Sequence, residues 1–136
     1  IISLIGRKKV KTPINNMESR YQAFNVKLNS LFRGGKFNNQ KIVIWGAGHQ
    51  ALFTISTSII CEKTSYIVDS SPSKQSLYAP GSGLKIYSPD KLKTDTPDIL
   101  IIACAGYNNE VLKTLNNMNL KINFVYVLNG LNLIRV

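Results

Sequence analysis

The stretch KIVIWGAGHQALF, Lys41 to Phe53, contains a buried strand, a glycine turn and the start of a helix. Its unbroken apolar run, Ile42 to Trp45, is typical of a parallel strand that is covered by helices on both faces. Gly46 and Gly48 allow the backbone to turn sharply and bring bare N–H groups close to a ligand, with the positive end of the helix dipole behind them. The stretch therefore predicts a site for a phosphate or carboxylate.

Strand and helix patterns alternate along the rest of the chain. Upstream, apolar residues from Met17 to Leu31 recur every three or four positions, which predicts an amphipathic helix that ends at Gly34 and Gly35. Downstream, we predict strands at 66–68, 85–87, 99–104 and 122–128 and helices at 50–61, 89–92 and 111–118, and we leave 129–136 unassigned. We therefore predict an α/β fold: a single Rossmann-like three-layer domain, with a mostly parallel sheet of about five strands and helices on both faces.

Length and composition favour one domain that needs no metal or disulfide for its core, since 44% of the 136 residues are hydrophobic. Residues 1–16 join an apolar opening and a basic cluster to the breaker-rich run Thr12 to Asn16, which we interpret as a linker from an upstream region. We assign residues 17–136 to the domain. Because the sequence starts at Ile1 without a Met, we expect a piece of a longer protein or a chain lacking its first residues.

The net charge of +10 raises the question of a nucleic-acid partner. Its distribution argues against one, because residues 1–41 hold nine basic side chains and one acidic one, whereas residues 42–136 hold eight and six. The α/β part is thus nearly neutral, and its aromatic residues form no aromatic-basic repeat of the kind that stacks bases. We expect the basic residues to form a solvated face.

Neither a membrane span nor a disulfide is expected. No apolar run approaches the ~20 residues that a span requires, so we predict no membrane partner. Cys61 and Cys104 lie far apart, each inside an apolar stretch, and small core thiols are therefore favoured over a disulfide or a metal pair. This cysteine use predicts a reducing, cytoplasmic setting.

The glycine turn has three open interpretations. Gly46 to Ala51 matches G-x-G-x-x-G/A between strand and helix, and Asp69 follows a little over twenty residues on, as in dinucleotide-binding folds. The chain after Gly46 has room for only one mononucleotide-binding half. The turn could serve a nucleotide or nucleotide sugar, the NAD(P) of an oxidoreductase fragment, or only the close packing of helix on strand.

Catalytic side chains are scarce. His49 is the only histidine, and it could contact a diphosphate, donate a proton or simply stand exposed at the helix start. No Ser/His/Asp or Cys/His set is present, and metal-ligand spacings are missing as well. We therefore predict no catalytic residue and no metal site.

The segment IVDSSPSKQSLYAPG, Ile67 to Gly81, is more specific than the glycine turn. It contains an Asp, a Pro three positions on, a Lys-Gln pair, a Tyr and a Pro-Gly pair, and in this it resembles the C-terminal domain of the sugar C-methyltransferase family. The likeness continues through Ser88-Pro89, Pro97-Asp98 and Gly106 to Glu110. It covers roughly residues 17–128.

The resemblance implies a function shared with other domains. Enzymes of this family place a zinc-binding N-terminal region and a central S-adenosylmethionine domain before the C-terminal one. They act on nucleotide-linked keto-sugars, from which a base removes the proton next to the carbonyl so that the enolate attacks the sulfonium methyl. This domain would then bind the nucleotide-diphosphate sugar, close over the central domain and be inactive alone. S-adenosylmethionine would bind in the missing central domain.

The resemblance also suggests how the site residues divide their work. Main-chain N–H groups of Gly46 to His49 would bind the diphosphate, Lys74 would supply charge, and Tyr78 or Tyr107 would stack on a base or sugar. Asp69 would either cap its loop or bind a ribose hydroxyl. The predicted substrate-binding set is Gly46, Ala47, Gly48, His49, Gln50, Asp69, Lys74, Gln75, Tyr78 and Tyr107. A domain that keeps the fold as a ligand-free interaction module is the remaining hypothesis.

Overall fold

The computed structural model describes residues 2–35 and 37–136, with side chains from residue 18 onward. In chain order its elements are α1 (Ile2–Arg33), β1 (Ile42–Trp45), α2 (His49–Thr57), α3 (Ile60–Lys63), β2 (Thr64–Val68), β3 (Ile86–Tyr87), α4 (Lys91–Thr94), β4 (Ile99–Ile102), a 3-10 turn (Ala105–Tyr107), α5 (Asn108–Met118), β5 (Phe124–Asn129) and β6 (Asn132–Arg135). Within these described ranges, no helix combines the length and the apolar character that a bilayer span requires.

The strands form one six-stranded sheet in the order β3-β2-β1-β4-β5-β6. β1 to β5 pair in parallel, and β6 is antiparallel to β5. The predicted Rossmann-like α/β fold is therefore confirmed. Chain order reverses between β1 and β4, which makes their carboxyl ends the topological switch point where ligands bind in open α/β sheets.

Each face of the sheet has its own hydrophobic core, because side chains alternate between the faces along a strand. On one face α1, α2 and α3 cover the sheet, and Phe24, Leu28 and Phe32 of α1 are buried there. On the other face α4 and α5 contribute Leu92, Val111 and Leu115. The central strands β1 and β4 are buried at every position. Their apolar runs are thus explained by cover on both sides.

Two helix boundaries differ from the sequence prediction. α1 begins at Ile2 rather than Met17, so the run Thr12 to Asn16 lies inside it. A proline within a helix removes one main-chain hydrogen bond, and a helix can accommodate it by a kink and continue past it. At its other end α1 stops at Arg33, and Gly35 has a φ of +81°, as the predicted glycine cap requires.

The predicted helix at 50–61 is two helices, because Ser58 is extended between them. Its hydroxyl donates to the carbonyl of Thr54 at 2.6 Å and accepts the N–H of Ile60 at 3.3 Å. A serine side chain that bonds to nearby main-chain groups competes with the helix in this way. The apolar pattern alone did not reveal the break.

The strand β6 was missing from the sequence prediction. β5 and β6 form a hairpin in which Asn129 pairs with Asn132 around Gly130 and Leu131. Gly130 has a φ of +60°, and a glycine at the first central position is typical of a two-residue type II′ turn. A glycine at position 130, the first loop position, was the available signal for this hairpin.

Candidate functional site

A cleft of about 670 Å³ opens at the carboxyl ends of β1 and β4, where the N-termini of α2 and α5 meet. Its volume lies within the range of small-molecule sites. The described residues that line it are Trp45, Gly46, Gly48, His49, Gln50, Asp69, Ser70, Lys74, Ala103, Cys104, Ala105, Gly106, Tyr107, Glu110, Val111 and Thr114.

The glycine turn after β1 has a tight side and an open side. Gly46 has a φ of +129°, and a Cβ atom there would lie 2.4 Å from the carbonyl oxygen of Ala103. Gly46 is therefore required by backbone conformation and by the approach of the chain after β4. A Cβ on Gly48 would meet nothing within 4 Å. Gly48 thus leaves free space on the cleft side of the turn.

Asp69 joins the glycine turn to the loop that follows β2. Its Oδ2 accepts the N–H of Ala47 at 2.7 Å, and its Oδ1 accepts the N–H of Ser71 at 2.8 Å. The predicted loop-capping role is confirmed, and ribose binding stays a prediction. The N–H of Ala47 is engaged by this carboxylate, and the N–H of Gly46 donates to the carbonyl of Val68 at 2.8 Å, so neither group is free to bind an anion as predicted.

The other predicted residues after β2 separate into two groups. Lys74 lines the cleft, whereas Gln75 and Tyr78 are not among its lining residues. The Nε2 of Gln75 donates to the carbonyl of Asp69 at 2.9 Å, so this side chain holds the loop. Tyr78 forms a bridge with Lys85, and 67% of its surface is exposed. Its position at the sheet edge separates it from the cleft.

The two predicted residues at the start of α2, His49 and Gln50, differ in their contacts. His49 lines the cleft at the start of the helix. Gln50 lines it too, but its Nε2 donates to the carbonyl of Gly130 at 2.9 Å. This bond joins α2 to the β5–β6 hairpin across the top of the sheet. Sequence reasoning could not foresee the contact, because the two residues lie 80 positions apart.

The turn after β4 forms the opposite wall and was largely missed by sequence reasoning, which found only Tyr107. Ala105 has a φ of +51°, and Asn108 fixes the turn: its Oδ1 accepts the N–H of Cys104 at 2.8 Å and its Nδ2 donates to the carbonyl of Leu128 at 3.0 Å. Tyr107 is 67% exposed at the cleft edge. The signal for this wall was its place after the most apolar strand, at the same edge as the glycine turn.

The charges of the lining residues are mixed. Asp69 and Glu110 are its acidic side chains, and Lys74 is the one Lys or Arg among the described residues that line it. Glu110 lies in the first turn of α5, where its negative charge offsets the positive end of the helix dipole. The groups of the cleft that favour an anion are therefore the start of α2 at Gly48 and the ammonium of Lys74.

Cys104 is a protonated thiol within this cleft. Burial, and then the negative charge of Asp69, raise the pKa of the thiol from 9.0 to about 11, although Lys74 acts in the opposite direction. The Sγ donates to the carbonyl of Trp45 at 3.2 Å. A thiol is a poor nucleophile when it is protonated. Among the residues that the structure describes, no cluster of His, Cys, Asp or Glu has a metal-binding arrangement.

Comparison with known proteins gives one family match. The family model for the C-methyltransferase C-terminal domain matches residues 8–128, which begins earlier than the expected span from residue 17. No curated protein sequence matches the chain. Among solved structures, UDP-D-quinovosamine 4-dehydrogenase from Vibrio fischeri has 16% sequence identity and a TM-score of 0.54 over 71% of this chain and 93% of that one. At this identity the likeness shows a shared fold alone.

Proposed function

Because the chain belongs to the C-methyltransferase C-terminal domain family, we propose that its cleft binds a nucleotide-diphosphate sugar, the substrate of a C-methylation. The observation that carries this proposal is the position of the cleft at the switch point between β1 and β4, with an open glycine and a lysine among its lining residues. S-adenosylmethionine and the catalytic base would belong to upstream methyltransferase domains of the same parent protein, in the cytoplasm.

The diphosphate would lie against the start of α2. Among the described residues no side chain caps this helix, so main-chain N–H groups in its first turn are available to an anion together with the helix dipole. The Lys74 ammonium adds a full positive charge to the cleft lining. The N–H of Ala47 would not take part, because Asp69 already accepts it.

The uncharged parts of the ligand would occupy the rest of the cleft. Tyr107 offers an exposed ring at the edge for a base or sugar to stack on, and Val111 and Trp45 provide an apolar floor. Glu110 could accept hydrogen bonds from sugar hydroxyls, a role that suits a carboxylate at the cleft wall.

Binding without catalysis is the role that we propose for this domain. A general base that removes a proton next to a carbonyl must lie within hydrogen-bond reach of that proton. Cys104 keeps its proton at neutral pH and is not such a base. The family to which the chain belongs would place the catalytic base in the central domain, so we assign to this domain the holding and orientation of the substrate.

A ligand titration followed by NMR tests the proposal. We expect UDP-glucose and dTDP-glucose to shift the amide resonances of Gly48, His49, Lys74 and Tyr107 saturably, whereas NAD and S-adenosylmethionine leave them unchanged. If NAD alone shifted these resonances, the oxidoreductase alternative would replace the proposal. If none of the four compounds shifted these resonances, the interaction-module alternative would replace the proposal.

A charge variant makes the titration residue-specific. We expect Lys74→Gln to weaken UDP-glucose binding about fivefold to tenfold and to reduce its salt dependence, because one screened charge contact is lost. Lys113→Gln is the matched control, since Lys113 is exposed on α5 and does not line the cleft. Equal losses in both variants would indicate attraction by net charge without a site.

A further inference from the structure

The two edge strands of the sheet, β3 and β6, differ in whether their outward main-chain groups are hydrogen-bonded. At β3, the outward main-chain groups of Ile86 are used, because its N–H donates to Leu77 at 2.9 Å and its carbonyl accepts from Ser76 at 2.7 Å. Tyr78 continues this cover through its bridge to Lys85. Among the described residues, none covers the outer edge of β6 in this way. An uncovered edge strand is a template for another strand.

The hydrogen-bond phase of the hairpin shows which groups face outward. The N–H of Val136 donates to the carbonyl of Val125 at 3.0 Å, so Val136 faces β5. Main-chain groups alternate in direction along a strand, and Ile134 therefore also faces β5, opposite Val127. The N–H and C=O groups of Leu133 and Arg135 consequently point away from the sheet.

We propose that β6 pairs in antiparallel fashion with β6 of a second copy of this chain, in the register that sets Leu133 opposite Arg135 of the other copy. This register uses all the outward groups of both residues, and it sets Ile134 directly opposite its own equivalent on the two-fold axis. A register that set Arg135 opposite Arg135 would place like charges in contact. The sheet would then continue across the two copies.

Side chains near the axis suit this contact. Ile134 is 47% exposed and Val136 is 61% exposed on the α5 side of the sheet, so both would bury apolar surface against the other copy. On the opposite side the guanidinium of Arg135 lies 4.7 Å from the ring centroid of Phe124, which directs its charge back over its own copy. β6 contains neither Pro nor Lys, two residues that commonly protect natural edges.

The contact is small, and we expect a dissociation constant in the micromolar range. Each copy carries a net charge of +10, and repulsion between the copies is screened by salt. Dimerisation should therefore strengthen as salt concentration rises, in contrast to an interface that is held by ion pairs.

Sedimentation equilibrium of the 136-residue chain tests the proposal with a matched pair of variants. Arg135→Pro removes an outward N–H that β5 does not use, and we expect it to weaken dimerisation at least about tenfold while circular dichroism stays unchanged. Arg135→Ala removes the guanidinium and keeps the N–H, so its dimerisation should stay within about threefold of the unaltered chain. A monomer at every concentration, or equal loss in both variants, would overturn the proposal.

Cross-linking tests the register. Directly opposed residues in a non-hydrogen-bonded pair have Cα atoms about 4.5 Å apart, which a disulfide can bridge. With Cys61 and Cys104 replaced by alanine, Ile134→Cys should therefore form a disulfide dimer in air. Val136→Cys should not, since its equivalents would lie about 13 Å apart along the strands. Equal cross-linking of both variants would contradict the register and with it the proposal.

Discussion

The two turns that form the cleft do the same structural task with different residues. After β1, Gly46 is confined by the carbonyl of Ala103 and the turn is fixed from outside by Asp69. After β4, a Cβ on Gly106 would meet nothing within 4 Å, and the turn is fixed by Asn108. Each turn is fixed by a polar side chain, but only the first also requires a glycine. An alanine in place of the glycine should therefore destabilise the first turn and leave the second nearly unchanged.

The largest expected effect is at the first turn. Gly46→Ala would place a Cβ against the Ala103 carbonyl at a φ that only glycine adopts readily, and we expect a loss of about 3–4 kcal/mol in the free energy of unfolding. Gly106→Ala is the control in the second turn, and its change should stay within about 0.5 kcal/mol. Urea denaturation measures both. Similar values for the two variants would remove the distinction between the turns.

The second turn should respond to its asparagine instead. Asn108→Ala leaves the N–H of Cys104 and the carbonyl of Leu128 without their partner in a buried place, at an expected cost of about 2 kcal/mol. The adjacent Asn109 is exposed, and Asn109→Ala should cost less than about 0.5 kcal/mol. A thermal or urea unfolding series decides the matter, and an Asn108 variant as stable as the Asn109 variant would rule out this anchoring role.

The features that the sequence could predict are those with local causes, and the features that it could not predict depend on residues distant in the chain. The strands β1 and β4 and the glycine turn were predictable, because apolar runs and a positive-φ glycine are local signals. The roles of Asp69, Gln75 and Gln50 were less predictable from the sequence. Carboxylate and amide side chains suit a ligand or a main-chain group equally well, and only the fold brings the carbonyl of Gly130 to Gln50.

Position explains the remaining differences. Tyr78 was predicted to stack on a base or sugar, but its loop lies along the β3 edge, and the sequence contains no sign of that direction. Cys104 and Ala105 were missed as parts of the wall because they have no motif of their own, and Glu110 lies in the matched run Gly106 to Glu110 but was given no role. The edge strand β6 is short and mostly exposed, so its apolar residues do not form a buried run.

Asp69→Asn should have an intermediate effect. An amide retains one acceptor oxygen, so either the Ala47 or the Ser71 hydrogen bond is lost, and the other loses its charge assistance. We expect a cost of about 1.5 kcal/mol in urea denaturation. Asp90→Asn is the control, because the Asp90 side chain is 79% exposed and pairs with Lys93 on the surface. A smaller loss at Asp69 than at Asp90 would be incompatible with a cap that joins turn and loop.

The smallest effect is electrostatic and joins the two turns. The raised pKa of Cys104, from 9.0 to about 11, means that the folded chain holds this proton more tightly than the unfolded chain. The contribution of this thiol to the free energy of unfolding is therefore complete below pH 9 and is lost as the pH rises through 11. Relative to Cys104→Ser, the chain should lose about 1 kcal/mol of stability across this interval, a value reduced for partial solvent exposure.

The charge of Asp69 is the second cause of this shift, so the first turn should control the titration of the second. In a background with Cys61 replaced by alanine, Asp69→Asn should lower the pKa of Cys104, as measured by the pH dependence of iodoacetamide alkylation. Asp90→Asn, which alters a distant exposed carboxylate, should not change it. If both variants gave the same alkylation profile, burial alone would hold the proton on Cys104, and the two turns would be independent in charge as well as in packing.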